Sequence, residues 1–405
     1  MVVSEHKMKT VIEGIHYATG EQIFVSIEEG TISQIQAVAK QRERGLPYIA
    51  PGLVDLQING YGRNDFNTLP ISQELVEQIT RALWREGVTS YCPTIITNHD
   101  EAIEKAVEVI AKASDQQVQQ CITGIHLEGP FISPEDGPRG AHGKEYIKAP
   151  DWDLFQTWQN AARGMIKIIT LSPEWTGSFD FISKCVENDV VVAIGHTAAT
   201  PEQIQKAVAA GAKMSTHLGN GAHVNLPRHP NYIWEQLAQD DLWTCLIADG
   251  FHLPESFLKV AMKTKGFQSM LVSDAVYLSG LEAGEYETHI GGKVVLTPEG
   301  KLYLQANPNL LAGSVKMLKD GVTYLLKTGL CNLWEAWEMA AIRPSTFMKL
   351  PTQKGLIEGA PADLVVFNLE DKHVNILQTY KAGTLVYPSA TVRKPPLQDN
   401  ETNGR

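Results

Sequence analysis

VVVAIGHT, residues 190–197, is a run of five apolar side chains that breaks at Gly195 and delivers His196. Four other stretches finish the same way: GIHLEGP (124–130) on Glu128, MSTHLGN (214–220) on His217, CLIADGFH (245–252) on Asp249 and His252, and MLVSDA (270–275) on Asp274. Each apolar run has the length of a buried strand, and each puts a reactive side chain just past the strand's end. A parallel barrel builds its active site at the carboxyl ends of its strands, so the five ends are predicted to converge on one mouth.

Outward from these runs, apolar segments alternate with amphipathic helical patterns from Pro51 to about Leu350, the order of repeated βα units. Eight strand candidates can be counted: Leu53–Ile58, Ser90–Thr94, Ile122–Leu127, Ile166–Leu171, Val190–Ile194, Lys213–Thr216, Thr244–Ile247 and Ser269–Val272. That number closes a (β/α)8 TIM-type barrel. Between them, Leu75, Val76, Ile79 and Leu83 mark one face of a helix over Ser72–Glu86, stopped by Gly87, and Thr200-Pro201-Glu202-Gln203 is a capping box that opens another, ending near Gly211. Residues 8–50 read instead as short strands, Lys9–Gly14, Gln22–Ile27 and Thr31–Val38, and so do Ala362–Asn368 and His373–Val386. The expected layout is a small β-sandwich domain from residues 1–52 and 353–390, a hydrolase barrel over 53–352, and a loose polar tail over 391–405.

With 405 residues, 43% hydrophobic and 20% charged, the chain has an ordinary globular composition and room for one large domain plus a smaller one. A net charge of −11 without any basic run excludes nucleic acid as a partner but leaves room for a small anionic substrate. The five cysteines are scattered and never form a C-x-x-C pair, which argues against a disulfide framework or a thiolate zinc site. The start, MVVSEHKMKT, lacks the apolar core of a signal peptide, and no stretch approaches about 18 uninterrupted apolar residues, so membrane spanning is disfavoured and a cytoplasmic protein is expected.

Two imidazoles and a carboxylate suit a divalent cation and leave a coordination position open for water. Glu128, His196 and His217 supply that set, and Asp274, with no Lys or Arg beside it in sequence, suits a general base. His126 shares a strand face with Glu128, two residues on, and either packs beside the cation or lines the barrel with both nitrogens bonded. Asp249 is either a site residue or the Asp of an Asp-Gly turn. Trp84, Trp152, Trp158, Trp234, Trp334 and Trp337 read as packing, and His223, His229 and His289 as surface residues, the first two near the mouth.

The ordered series PGLVDLQING, HLEGPFISPEDGPRGAH, IGHTAAT, STHLGNGAH, IADGFHLP, LVSDA, LLAGS and GLIEGAPADLVVFN, spread over residues 8–388, resembles the N-acetylglucosamine-6-phosphate deacetylases of the amidohydrolase superfamily. The resemblance implies hydrolysis of the acetyl group of an amino sugar, with Glu128, His196 and His217 as metal ligands and Asp274 as base and acid. It implies that Ala141, His142, Asn220 and Gly221 contact the sugar and acetyl group, that Arg228 and His252 reach a phosphate, and that Leu311, Ala312 and Gly313 line the pocket; Asp249 joins the substrate-binding set. His142 then steadies the oxyanion alongside the metal. A homodimer is the common family assembly.

Many amidohydrolases carry H-x-H on the first strand; this chain reads Gln57-Ile58-Asn59, and Lys167 lies too early on the fourth strand to bridge two ions. One metal ion per subunit is therefore expected: zinc first, with iron, manganese or cobalt accepted by the same donors. The chain departs from the family at Gly219, at Gly221-Ala222, at Pro227–Asn231 and at Gly137-Pro138-Arg139, all of which bear on the substrate. Two alternative functions share the scaffold: an amidohydrolase acting on another N-acetylated sugar or a cyclic amide, and a sugar-binding barrel without catalysis.

Overall fold

The structure, a computed structural model, describes residues 9–38, 45–113, 115–288 and 292–388. The loose tail expected at 391–405 and His289 lie outside the described residues. Eight parallel strands lie side by side in chain order: Leu53–Ile58, Val88–Ile96, Ile125–Glu128, Ile166–Leu171, Val191–Ile194, Met214–Ser215, Trp243–Leu246 and Ser269–Leu271. The ring closes between the eighth and first strands. Asp274 N donates to Gln57 O at 2.9 Å, Ile58 bridges Ala275 in parallel, and Asp55 Oδ1 accepts from Ser273 N at 3.2 Å.

Period-2 alternation sorts these strands into two faces. Leu127, Ile169, Leu171, Val192 and Ile194 join the large core beneath the helices, while Ile168, Ala193, Met214, Cys245 and Met270 form a second buried cluster with Val54 and Leu56. The third strand starts at Ile125 rather than Ile122, which makes only an isolated bridge to Tyr91. Helix Gln73–Arg85 is capped by the Ser72 side chain and buries Val76, Ile79 and Leu83; its chain turns away at Gly87 with φ 79°. Helix Pro201–Ala209 has the capping box read from its sequence.

The two ends of the chain meet in one seven-stranded sheet, where Leu364–Glu370 pairs antiparallel with Tyr48–Pro51. The sheet folds over, so that Ile32 N donates to Ala360 O at 2.9 Å and Ala362 N to Gly30 O at 2.8 Å. It is fixed to the barrel by Trp337, whose indole N–H donates to Pro51 O at 2.8 Å and whose ring stacks on Phe367 at 4.4 Å. A buried ion pair, Lys381 Nζ to Asp363 Oδ2 at 2.7 Å with Ser90 Oγ at 3.3 Å, adds a polar tie.

An element absent from the sequence reading follows the eighth strand. Gly284–Thr288, Gly292–Leu296, Leu302–Leu304 and Asn307–Leu311 form a four-stranded antiparallel sheet over Leu278, Val294, Leu296 and Leu302, and the chain rejoins the barrel where Ser314 bridges Ala275. Of the six tryptophans read as packing, Trp84, Trp158 and Trp337 are buried and Trp152 is partly so, but Trp234 and Trp334 are half exposed. Among the described residues no helix is long and apolar enough to cross a membrane.

Candidate metal centre and active site

Three side chains from three strand ends meet at one point. Glu128 Oε1 lies 3.2 Å from His196 Nε2 and 3.0 Å from His217 Nε2, and the two Nε2 atoms are 3.0 Å apart. All three residues are buried. His196 Nδ1 lies 2.8 Å from Pro138 O, an acceptor only, so Nδ1 holds the ring proton and Nε2 presents a lone pair to the cluster. Two imidazole nitrogens and an anionic oxygen this close are poorly satisfied by one another. They do fit a cation: donors around tetrahedral zinc lie roughly 3.3 Å apart, given metal–nitrogen bonds of about 2.0–2.1 Å. Burial alone would raise the Glu128 carboxyl, yet hydrogen bonds to His196 and His217 hold it well below its ordinary value.

Backbone geometry aims these groups. His196, His217 and Asp274 all have positive φ (48°, 25° and 47°), a left-handed turn just past the strand that costs an L-residue about 1–2 kcal/mol. Glycines make room: a Cβ on Gly221 would stand 2.6 Å from His196 Nδ1, and one on Gly140 would stand 3.3 Å from His196 Cε1.

The two amides that stand in place of H-x-H at the end of the first strand hold the two carboxylates. Gln57 Nε2 donates to Glu128 Oε1 at 3.0 Å, and Asn59 Nδ2 donates to Asp274 Oδ1 at 2.8 Å. Burial, then the charge of Glu128, pushes Asp274 up to about 6, against His217 and His252. A dication nearby works in the opposite direction and favours the carboxylate.

His142 packs edge-on against His196, ring centroids 4.4 Å apart, with Nδ1 2.8 Å from Thr97 Oγ1. Arg139 donates to the His142 carbonyl at 2.8 Å and steadies that loop. Burial, then His196, pushes His142 down to about 3, which keeps its imidazole neutral. His126 takes the second of its two readings: Nδ1 donates to Leu56 O at 3.0 Å, and Nε2 lies 2.7 Å from Thr170 Oγ1, which reaches Thr216 Oγ1 at 2.6 Å. Both of its nitrogens are used within the barrel.

Asp249 has both carboxylate oxygens engaged by its own loop. Oδ1 accepts from the N–H groups of Phe251 and His252 at 2.8 Å each, and Oδ2 pairs with His252 Nδ1 at 2.6 Å. The geometry makes it a holder of His252, whose Nε2 stays free of protein partners among the described residues. Asn220 folds back on the His217 carbonyl at 3.2 Å, and Ala141 is exposed beside His142. Leu311, Ala312 and Gly313 lie where the inserted sheet rejoins the barrel, close behind Asp274 in space, since Ala275 bridges Ser314. Arg228 is exposed and has no hydrogen-bond partner among the described residues.

The two loops that depart from the family pattern touch each other. His223 Nε2 meets Glu135 Oε2 at 3.1 Å, His223 Nδ1 meets Tyr232 Oη at 3.0 Å, and a Cβ on Gly137 would stand 3.0 Å from the His223 Cα. His223, read as a surface residue, is thus the tie between them. Gly219 similarly yields its space to Leu253 and Phe257, which a Cβ there would meet at 2.8 and 2.9 Å.

Comparison with known proteins agrees with this geometry. The amidohydrolase family model matches residues 48–386. The chain is 32% identical over 380 residues to the N-acetylglucosamine-6-phosphate deacetylase of Bacillus subtilis, covering 90% of this chain and 93% of that one, and 31% identical over 366 residues to the human enzyme of the same name, covering 88% and 87%. The solved N-acetylglucosamine-6-phosphate deacetylase of Thermotoga maritima superposes with a TM-score of 0.81 at 26% identity, over 94% of this chain and all of the other. Similarity of this extent, on a barrel with this donor set, means that the chain belongs to the amidohydrolase family and, within it, to the N-acetylglucosamine-6-phosphate deacetylases.

Proposed function

We propose that this chain hydrolyses the N-acetyl group of N-acetylglucosamine 6-phosphate, releasing acetate and glucosamine 6-phosphate. The observation that carries the proposal is the convergence of Glu128, His196 and His217 with Asp274 held beside them. In this reading the three converging residues hold one divalent cation, zinc by choice of donors, with iron, manganese and cobalt as alternatives. When bound, such an ion polarises a carbonyl and eases deprotonation of water.

Asp274 has Oδ1 engaged by Asn59, while Oδ2 has no hydrogen bond among the described residues. That free oxygen takes a proton from the attacking water and returns it to the departing amine nitrogen. His142, fixed against Thr97 and His196, faces the acyl oxygen. His252, oriented by Asp249, binds the substrate with Arg228, which suits a phosphate as a planar two-toothed donor. Ala141, Asn220 and Gly221 complete the sugar side, and Leu311, Ala312 and Gly313 the wall. The contact between the altered loops at 137–139 and 219–231 favours a second reading with the same chemistry, in which the sugar differs or lacks the phosphate. A cytoplasmic homodimer is part of the proposal, as is its division into a β domain (1–52 with 353–390), a barrel (53–352) and a tail (391–405). All five cysteines are free thiols, as a reducing compartment requires.

The test is Asp274→Asn. It is expected to bind cation at wild-type stoichiometry while turnover falls by about two to four orders of magnitude, the usual contribution of a positioned acid–base group. Near-normal turnover in a cation-loaded variant would remove Asp274 from the chemistry.

A further inference from the structure

The second barrel strand, Val88–Ile96, contributes a residue that no motif singles out. Thr97 is buried just past its end, with its hydroxyl oxygen 2.8 Å from His142 Nδ1 and 3.4 Å from the Glu128 carbonyl oxygen. The hydroxyl occupies the space left by the missing side chain of Gly129, where a Cβ would come within 2.1 Å of Thr97 Oγ1. Arg139 holds the His142 carbonyl and the His196 ring packs against the imidazole, so the two partners meet in one orientation.

A neutral imidazole has one ring proton, and a hydroxyl has one proton to give. If His142 Nδ1 donates to Thr97, the threonine's own proton is left with the Glu128 carbonyl at 3.4 Å, beyond the 2.5–3.0 Å range of a good O–H to O bond. His142 Nε2 would then present a bare lone pair. If Thr97 donates to Nδ1, its proton is used at 2.8 Å and the ring proton moves to Nε2, which makes no bond to protein among the described residues. The second arrangement leaves its one unbonded donor, Nε2–H, at an atom that still reaches solvent, whereas the first leaves the buried Thr97 hydroxyl proton with only a distant acceptor, the costlier of the two.

We infer that Thr97 is a positioning residue that fixes His142 as the Nε2–H tautomer, so that the imidazole offers the acyl oxygen a proton donor rather than a lone pair. The catalytic consequence rests on the placement of His142 under the proposed function; the tautomer itself does not. Only the Nε2–H form strengthens its bond as negative charge develops on that oxygen.

The experiment uses zinc-loaded protein with 15N-labelled histidine, with the His142 resonances identified by their loss in His142→Gln. The unprotonated ring nitrogen resonates far downfield of the protonated one. Wild type and Thr97→Ser are expected to show a protonated Nε2 and a bare Nδ1, and Thr97→Val to lose that preference. In acetate release, Thr97→Val should lose about 10- to 100-fold in kcat, at or below the cost of removing one oxyanion donor, with KM little changed and serine restoring most of the rate. A wild-type spectrum with the proton on Nδ1 overturns the inference, and so does a valine variant that keeps both the tautomer and the rate. Should valine fail to fold, the wild-type and serine spectra still decide the tautomer. Absence of acetate release from wild type with any amino sugar would refute the functional proposal instead, since the spectra read the Thr97–His142 contact directly.

Discussion

Replacing Asn59 by alanine removes a single proton donor from the Asp274 carboxylate and touches nothing else of consequence. The donated bond is 2.8 Å long, mostly buried, and made to a group that must be anionic to act as a base. A hydrogen bond to a charged partner is worth about 1.5–3 kcal/mol, which corresponds to roughly a 10- to 150-fold loss of rate if the bond is needed to aim the base. Stability should respond differently. The other amide atom, Asn59 Oδ1, is buried without a partner, a burden of about 1–3 kcal/mol that alanine relieves. The loss of one bond and the removal of one unmet acceptor roughly offset. Expected, therefore, is a kcat lowered by one to two orders of magnitude, with bound cation and melting temperature close to wild type. Acetate release, elemental analysis and thermal unfolding measure the three quantities. A variant with kcat within about twofold of wild type and a full complement of cation would refute the idea that the first-strand amide aims the base.

Gly221→Ala forces a Cβ to within 2.6 Å of His196 Nδ1 at a backbone φ of +55°, so the imidazole must shift off the Pro138 carbonyl. Disturbing such a support typically costs about 10- to 100-fold in metal affinity, and unchanged affinity in a competition titration would contradict the wedge between Gly140 and Gly221. The pH dependence of folding offers a separate check at Asp55, which burial pushes up to about 7 against hydrogen bonds from Ser273 and Gln57. Folded protein then keeps a proton that the unfolded chain releases near pH 4, so stability from this group is intact below about pH 4 and is lost as pH rises toward 7. Asp55→Asn removes that titration: its melting temperature relative to wild type should rise from pH 4 to 7 and level off above, and a relative fall over that interval would show that the wild-type carboxylate is stabilised in the fold.

The barrel was legible because each strand is an apolar run bounded by a break in pattern, and the cluster able to hold a cation because Glu128, His196 and His217 stand where such runs end. Partnerships across the barrel were not. Gln57 and Glu128 are 71 positions apart and Asn59 and Asp274 are 215 apart, and an amide's identity tells what it can donate without telling to what. Thr97 was silent because a threonine after a strand is commonplace; only its 2.8 Å approach to His142 distinguishes it. His223 was read as a surface residue for the same reason, its partners Glu135 and Tyr232 being known only once two loops meet. The inserted sheet escaped because its strands are three to five residues long and largely polar outward, with the Asn307–Leu311 edge exposed along most of its length. Trp234 and Trp334 show the limit of residue type as a guide to burial, since each is half exposed at the start of its helix.

The most direct measurement of the central claim is acetate release by the purified chain loaded with one equivalent of divalent cation, compared across N-acetylglucosamine 6-phosphate, N-acetylglucosamine and N-acetylgalactosamine 6-phosphate. Release from N-acetylglucosamine 6-phosphate, abolished by chelation and restored by the cation, is the expected result, with the unphosphorylated sugar a poorer substrate if Arg228 and His252 bind the phosphate. No acetate from any of the three, with the cation demonstrably bound, would contradict the account.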